Sequence, residues 1–231
     1  KLLTALVAVE HGSLEQRIEV SASAVDKGPD SASCYISEGD VEPLEYLLYG
    51  LLLPSGNDCA DAIAEGVSGG RPEEFIEWMN ETAQRVGATR SHFTNPHGLH
   101  DPDHWTTAID LAIIGRAALA DPVVRRIAGT RQFDWPGKEK NGTYYNLNGM
   151  LWDYPGTIGG KTRYTEEAGY NLINAVERDG RLLIGVVAGY KWKSELYTDM
   201  EALLDYGLTA FRHVDAVPTD RPLSEIPVTG G

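Results

Sequence analysis

The stretch LLLPSGNDCADAIAE, residues 51–65, runs apolar, breaks at Pro54-Ser55-Gly56-Asn57, and turns apolar again at helical spacing. A Ser-Gly-Asn between two pieces of candidate core has two readings. It is a turn that caps a helix, or a corner that presents a hydroxyl and a carboxamide in a cleft. Upstream, PLEYLLYGLL (43–52) carries apolar residues on a broad helical face, with Pro43 where a first turn tolerates it. Downstream, a second helix is expected from Asp58 to about Val67. Cys59 falls inside that apolar segment, where a small buried thiol is the ordinary reading. Neither it nor Cys34 has metal-ligand spacing.

Further helices flank this pair. KLLTALVAVEHG (1–12) reads as an apolar helix closed by Gly12 at the C′ position. RPEEFIEWMNETAQRVG (71–87) has Pro and two Glu in its first turn and Gly87 at its end. After a His-, Asp- and Pro-rich loop over 88–105, Thr106 or Thr107 is placed to cap TAIDLAIIGRAALA, with Asp110, three after Thr107, completing an approximate capping box. DPVVRRIAG continues as a shorter helix. From about residue 130 the pattern changes to RQFDW, TYYNL, GTIGGKT, GYNLINAV and RLLIGVVAGY, short runs of β-branched and aromatic residues. Asp179-Gly180 between the last two is a hairpin turn signal. ELYTDMEALLDYGLTAF (195–211) returns to helical spacing. The fold class is therefore α+β: a helical cluster and an antiparallel sheet of about five strands, closed by a C-terminal helix. The expected domain spans 1–213. Residues 214–231, with three prolines, read as a linker or the start of a small β-rich domain.

The chain has 231 residues, 42% of them hydrophobic and 23% charged, ordinary for a globular protein with a sizeable core. A net charge of −14 argues against nucleic acid, whose phosphates need basic patches. No apolar run reaches the length of a membrane span.

Ser55 and Asn57 are weak signals alone, as is Lys161 in GGKTRYT (159–165) and Lys1 at a helix start. Their order is not weak. It matches Ser-x-x-Lys, Ser-x-Asn and Lys-Thr-Gly, the set of the penicillin-recognising serine enzymes. The longer segments YLLYGLLLPSGNDCADAIAE, FTNPHGLHDPDHWTTAIDLAII, NGMLWDYPGTIGGKTRYTEEAGYNL and MEALLDYG make the sequence resemble the D-alanyl-D-alanine carboxypeptidases, the low-molecular-mass penicillin-binding proteins of peptidase S11 type, over nearly its whole length. The resemblance implies a β-lactamase/transpeptidase-like fold and acyl transfer from a peptidoglycan pentapeptide ending in D-Ala-D-Ala. It implies covalent inhibition by β-lactams, no metal or organic cofactor, and an exported, extracytoplasmic protein, with membrane anchoring through other segments. It assigns Lys1 to Ser-x-x-Lys, Ser55 and Asn57 to the second motif, and Lys161 and Thr162 to substrate-carboxylate binding. Tyr164 follows where the family supplies an oxyanion-hole N–H.

The chemistry fits these residue types. A serine hydroxyl needs a neighbouring base. A lysine serves only if burial and nearby cations bring its pKa down from ~10.4.

Two departures stand out. The nucleophilic serine expected three residues before Lys1 is not in this sequence, so the chain as given is expected to be inactive. Arg163 stands where the family has glycine. It shares a strand face with Lys161, and its fork is expected to clamp a carboxylate, the alternatives being that it obstructs the groove or points away at a bulge. Two rival readings exist. One is a non-catalytic peptidoglycan-binding relative. The other is a metal-dependent hydrolase using His97, His100 and His104, although their spacing fits no named signature.

Overall fold

In the computed structural model, residues 1–26, 31–137 and 142–211 are described. The expected boundary near 213 and the tail after it lie outside them. Helix α1 (Leu2–His11) is buried continuously from Leu2 to Ala8. A helix apolar all round belongs in the middle of a core, and α1 packs against five other helices. Gly12 ends it in an extended conformation, φ −119°, instead of the left-handed cap expected of a C′ glycine. Its reason is space, because a Cβ there would lie 2.8 Å from Leu44 Cδ2.

Strand β1 (Arg17–Glu19), the short helix α2 (Ala22–Val25) and strand β2 (Val41–Pro43) follow, with β1 and β2 antiparallel. Pro43 caps α3 (Leu44–Leu52), and α4 (Asn57–Val67) starts one residue earlier than expected. Both are buried over most of their length, so the Ser-Gly-Asn corner between them lies inside the protein. Helix α5 (Pro72–Val86) buries Phe75, Met79, Thr82 and Ala83, one stripe at helical spacing, and ends at left-handed Gly87, φ 98°. In α6 (Ala108–Ala120), Thr107 Oγ1 accepts from Asp110 N at 3.2 Å. The reciprocal half of the capping box does not form. Asp110 instead accepts from Arg90 N and Ser91 Oγ, each at 2.7 Å, and so ties down the preceding loop. Asp121 caps α7 (Pro122–Ala128).

The expected sheet of about five strands is corrected here. RQFDW and TYYNL form β3 (Gln132–Asp134) and β4 (Thr143–Tyr145), which pair with each other in a separate ribbon. Aromatic packing holds that ribbon on α3: Phe133 stacks on Tyr49 at 4.0 Å, and Trp135 meets Tyr46 edge-on at 6.0 Å. After α8 (Met150–Asp153) comes the main sheet. It has three antiparallel strands among the described residues, β5 (Thr157–Thr165), β6 (Gly169–Arg178) and β7 (Arg181–Tyr190), in the order β5-β6-β7. Asp179 and Gly180, with φ of 52° and 72°, make the tight turn between β6 and β7. The closing helix α9 (Lys193–Thr209) covers one face of this sheet, and α6 covers the other. Strand β6 divides two cores by its alternation. Leu172 and Val176 join Met200 and Leu204 under α9, whereas Ile173 and Ala175 join the larger helical core.

Candidate active site

Three elements meet: the start of α1 bonds to the corner between α3 and α4, and that corner shares a cleft with the edge strand β5. The corner is built by backbone. Ser55 adopts a left-handed conformation, φ 72°, unusual for a residue with a side chain. Gly56 N donates to Gly50 O at 2.9 Å, and Asn57 N donates to Ala32 O at 2.7 Å. Ser31 Oγ accepts from Asn57 Nδ2 at 2.6 Å, which fixes the carboxamide with its oxygen pointing the other way.

That oxygen meets Lys1. Nζ of Lys1 donates to Asn57 Oδ1 at 2.5 Å and to Ser55 O at 2.8 Å, and it lies 3.1 Å from Ser55 Oγ. Burial, then the Arg163 guanidinium, then the Lys161 ammonium push the Lys1 side chain well below the ordinary lysine range. With the amine neutral, the Ser55 hydroxyl is able to donate to it, which links hydroxyl and base into one proton path.

Lys161 and Arg163 share a face of β5, opposite Ile173 and Asn171 of β6. Lys161 is buried and donates to Thr162 O at 3.0 Å. Burial first, then Arg163, bring it down to about 7. Burial also lowers Arg163, and its buried Nε has no hydrogen-bond partner among the described residues. Such a group is under-satisfied until a ligand acceptor arrives.

The cleft, about 770 Å³, is lined by Ser55, Asn57, Thr162, Arg163 and Tyr164, with His100 on its rim. A second cavity of about 550 Å³ carries Lys1 and Lys161 among apolar walls, and Arg163 borders both spaces. Tyr164 is half-exposed and packs at a tilt against Tyr170, ring centroids 4.4 Å apart. Among the described residues β5 pairs with β6 alone, so it is an edge strand, a position at which an extended peptide can add.

The predicted residues Lys1, Ser55 and Asn57 are thus brought into direct contact, and Thr162, Arg163 and Tyr164 line the same cleft. The histidines do not converge. His97 Nδ1 accepts from Leu99 N at 3.1 Å, and its Nε2 lies 3.9 Å from Asp61. His104 Nδ1 accepts from Thr94 N at 3.3 Å, and burial holds the ring at about 4, hence neutral. Among the described residues, the donor group compact enough to suggest an ion is Cys34, Asp58 and Cys59, none of them in that loop.

Sequence reasoning missed Ser31, Ala32 and Asp58. Asp58 is buried and accepts from Cys34 N, Cys59 N and Ser33 Oγ, which clamps the 31–34 segment against α4. The Ser-Ala-Ser-Cys run at 31–34 carries no motif that marks these contacts.

A family model described as D-alanyl-D-alanine carboxypeptidase matches residues 1–191. The chain is 32% identical over 225 residues to the D-alanyl-D-alanine carboxypeptidase DacA of Haemophilus influenzae, covering 95% of this chain and 56% of that protein. It is 36% identical over 212 residues to DacB2 of Mycobacterium tuberculosis, covering 90% and 72% respectively. A D-alanyl-D-alanine carboxypeptidase structure from Mycobacterium tuberculosis superposes with a TM-score of 0.81 at 34% identity, covering 91% of this chain and 80% of that one. An evolved penicillin-binding protein homolog from the same organism gives 0.83 at 32% identity, covering 93% and 82%. The chain spans 56% and 60% of the length of two of the curated relatives it matches. With the family match running through all three converging elements, the chain belongs to the D-alanyl-D-alanine carboxypeptidase family.

Proposed function

We propose that the protein containing this chain is a serine-type D-Ala-D-Ala carboxypeptidase that trims peptidoglycan stem peptides outside the cytoplasmic membrane. The observation that carries this reading is the Lys1 amine, bonded to the Ser-x-Asn corner and depressed by burial and then by Arg163 and Lys161. Each residue has a role. Neutral Lys1 takes the proton of a serine one helical turn upstream, three residues before it. The serine oxygen attacks the carbonyl of the penultimate D-Ala. The Tyr164 N–H is one donor to the oxyanion, worth about 2.7–4 kcal/mol. Lys1 and Ser55 pass the proton on to the departing D-Ala nitrogen. Water then releases the acyl group and restores the serine. Asn57 holds Lys1 and the substrate amide, and Lys161, Thr162 and Arg163 receive the terminal carboxylate. The reaction needs neither metal nor organic cofactor. β-Lactams acylate the same serine, but their amine leaving group stays tethered. No helix among the described residues is long and apolar enough to cross a membrane, and anchoring through other segments is compatible with this reading.

The test is labelling with a fluorescent penicillin. An upstream extension carrying Ala-x-x before Lys1 is expected to form no covalent adduct, because the nucleophilic hydroxyl is missing. A form extended upstream by Ser-x-x is expected to form one adduct per molecule. A stable adduct on the Ala-x-x form, or a folded Ser-x-x form that never labels, sinks the reading. If the extended form bound stem peptide without labelling, the non-catalytic relative would be the better description.

Arg163 has its own test. A charge-assisted hydrogen bond from a buried guanidinium is worth about 1.5–3 kcal/mol. Arg163→Gly is therefore expected to weaken binding of a peptide with a free C-terminal carboxylate by roughly tenfold or more, and to spare its amidated counterpart. Equal losses for both peptides would remove the clamp.

A further inference from the structure

Cys34 and Cys59 take no part in the chemistry above, yet both are fully buried beside it. Their sulfurs lie within 4.8 Å of one another, and both crowd the space beside Gly50. A Cβ placed on Gly50 would sit 2.5 Å from Cys59 Sγ and 2.9 Å from Cys34 Sγ. Glycine at position 50 is what lets the two thiols share this space. Asp58 already holds the two residues together, accepting from Cys34 N at 2.9 and 3.0 Å and from Cys59 N at 2.9 Å. Tyr144 Oη donates to Cys34 O at 2.5 Å from the far side.

A metal ion fits this cluster poorly. Both Asp58 oxygens are already engaged, Oδ2 also accepting from Ser33 Oγ at 2.6 Å, and Cys34 Sγ donates to Gly50 O at 3.2 Å. A direct sulfur–sulfur bond of about 2.05 Å needs only a modest approach of two side chains whose backbones are already tied.

We propose that Cys34 and Cys59 form a disulfide that locks the Ser-x-Asn corner. One thiolate attacks a low-molecular-mass disulfide and expels one thiolate, leaving a mixed disulfide. The second cysteine attacks the protein sulfur of that bond and expels the other. Two protons and two electrons leave the protein, and the small disulfide becomes two thiols. The buried sulfurs meet the reagent during folding or local opening. The location explains the consequence. Ser31 and Ala32, just before Cys34, are the residues that fix the Asn57 side chain and backbone, and Cys59 is two residues after Asn57. The cross-link closes a ring of about 25 residues around that corner and restricts the unfolded chain. It depends on no particular reaction in the cleft.

The experiment uses the 231-residue chain, unfolded under reductant and refolded in a mixture of oxidised and reduced glutathione. The expected product is a monomer about 2 Da lighter, with no thiol titratable in denaturant. Its melting temperature is expected to rise by roughly 5–10 °C over the reduced protein, and dithiothreitol is expected to reverse this. Cleavage of the 31–36 segment by protease should slow in parallel. Cys34→Ser and Cys59→Ser should each fold, keep one thiol or carry one glutathione, and show no such rise. Two persistent thiols after refolding would overturn the proposal. So would an intermolecular dimer, a cross-linked species without native circular dichroism, or a zinc ion bound one-to-one that protects both thiols.

Discussion

Lys1→Ala, in a form of the protein carrying a serine one turn upstream, is expected to lower the rate of acylation by labelled penicillin by roughly a thousandfold or more. A positioned general base contributes about 10²–10⁴, and no other amine among the described residues lies within hydrogen-bond distance of Ser55 Oγ. Lys1→Arg should fail as badly, because a guanidinium keeps its proton at every working pH. The pH dependence gives the sign. The reactive form is the neutral amine, so the acylation rate of the parent should rise with pH through the depressed lysine value and then level. Burial and two neighbouring cations move that limb below the ordinary lysine range. The measurement is second-order acylation kinetics across pH, with circular dichroism to show an intact fold. Retention of the rate within tenfold in Lys1→Ala would assign the base elsewhere.

The second large effect is on stability. Gly160→Ala is expected to destabilise the protein by about 3 kcal/mol or more, a drop of roughly 6–12 °C in melting temperature. Gly160 has φ 158°, and a Cβ there would lie 2.1 Å from the carbonyl oxygen of Ile173 and 3.0 Å from Asn174 Cα, both on the paired strand. Backbone in a sheet ladder has nowhere to go. Gly69→Ala is the matched control. Its φ is 65°, yet nothing lies within 4 Å, so only the left-handed cost of about 1–2 kcal/mol applies. Equal thermal shifts for the two variants would refute the steric account.

The helices were the legible part of this fold. α5 shows why: Pro72, Glu73 and Glu74 open it, Gly87 closes it, and its buried stripe repeats at helical spacing. The turn at Asp179-Gly180 was equally plain, because few residues adopt positive φ twice in succession. The sheet was miscounted because RQFDW and TYYNL carry the same local signals as true sheet strands. Which strand each one pairs with depends on Phe133 and Trp135 finding Tyr49 and Tyr46, contacts remote in sequence. In the site, the positions of Lys1, Ser55, Asn57 and Lys161 could be named from motif order. The clamp formed by Ser31, Ala32 and Asp58 could not. A buried aspartate that accepts from backbone groups 24 residues away looks locally like any acidic residue in a helix's first turn.

The partition of the interior by β6 has a further consequence. Helix α9 rests on its own small cluster, around Leu172, Val176, Leu196, Met200 and Leu204, separated by the sheet from the core that holds α1, α3 and α4. Lifting α9 exposes the small cluster alone. The molecule therefore has a sub-global opening available below the energy of complete unfolding. Amide hydrogens of α9 would exchange with solvent through that opening while those of α1 wait for the whole protein to come apart, so Lys1, Ser55 and Asn57 sit on the part that opens last, whereas Lys193 and Leu196 of α9 line the cleft from the part that opens first.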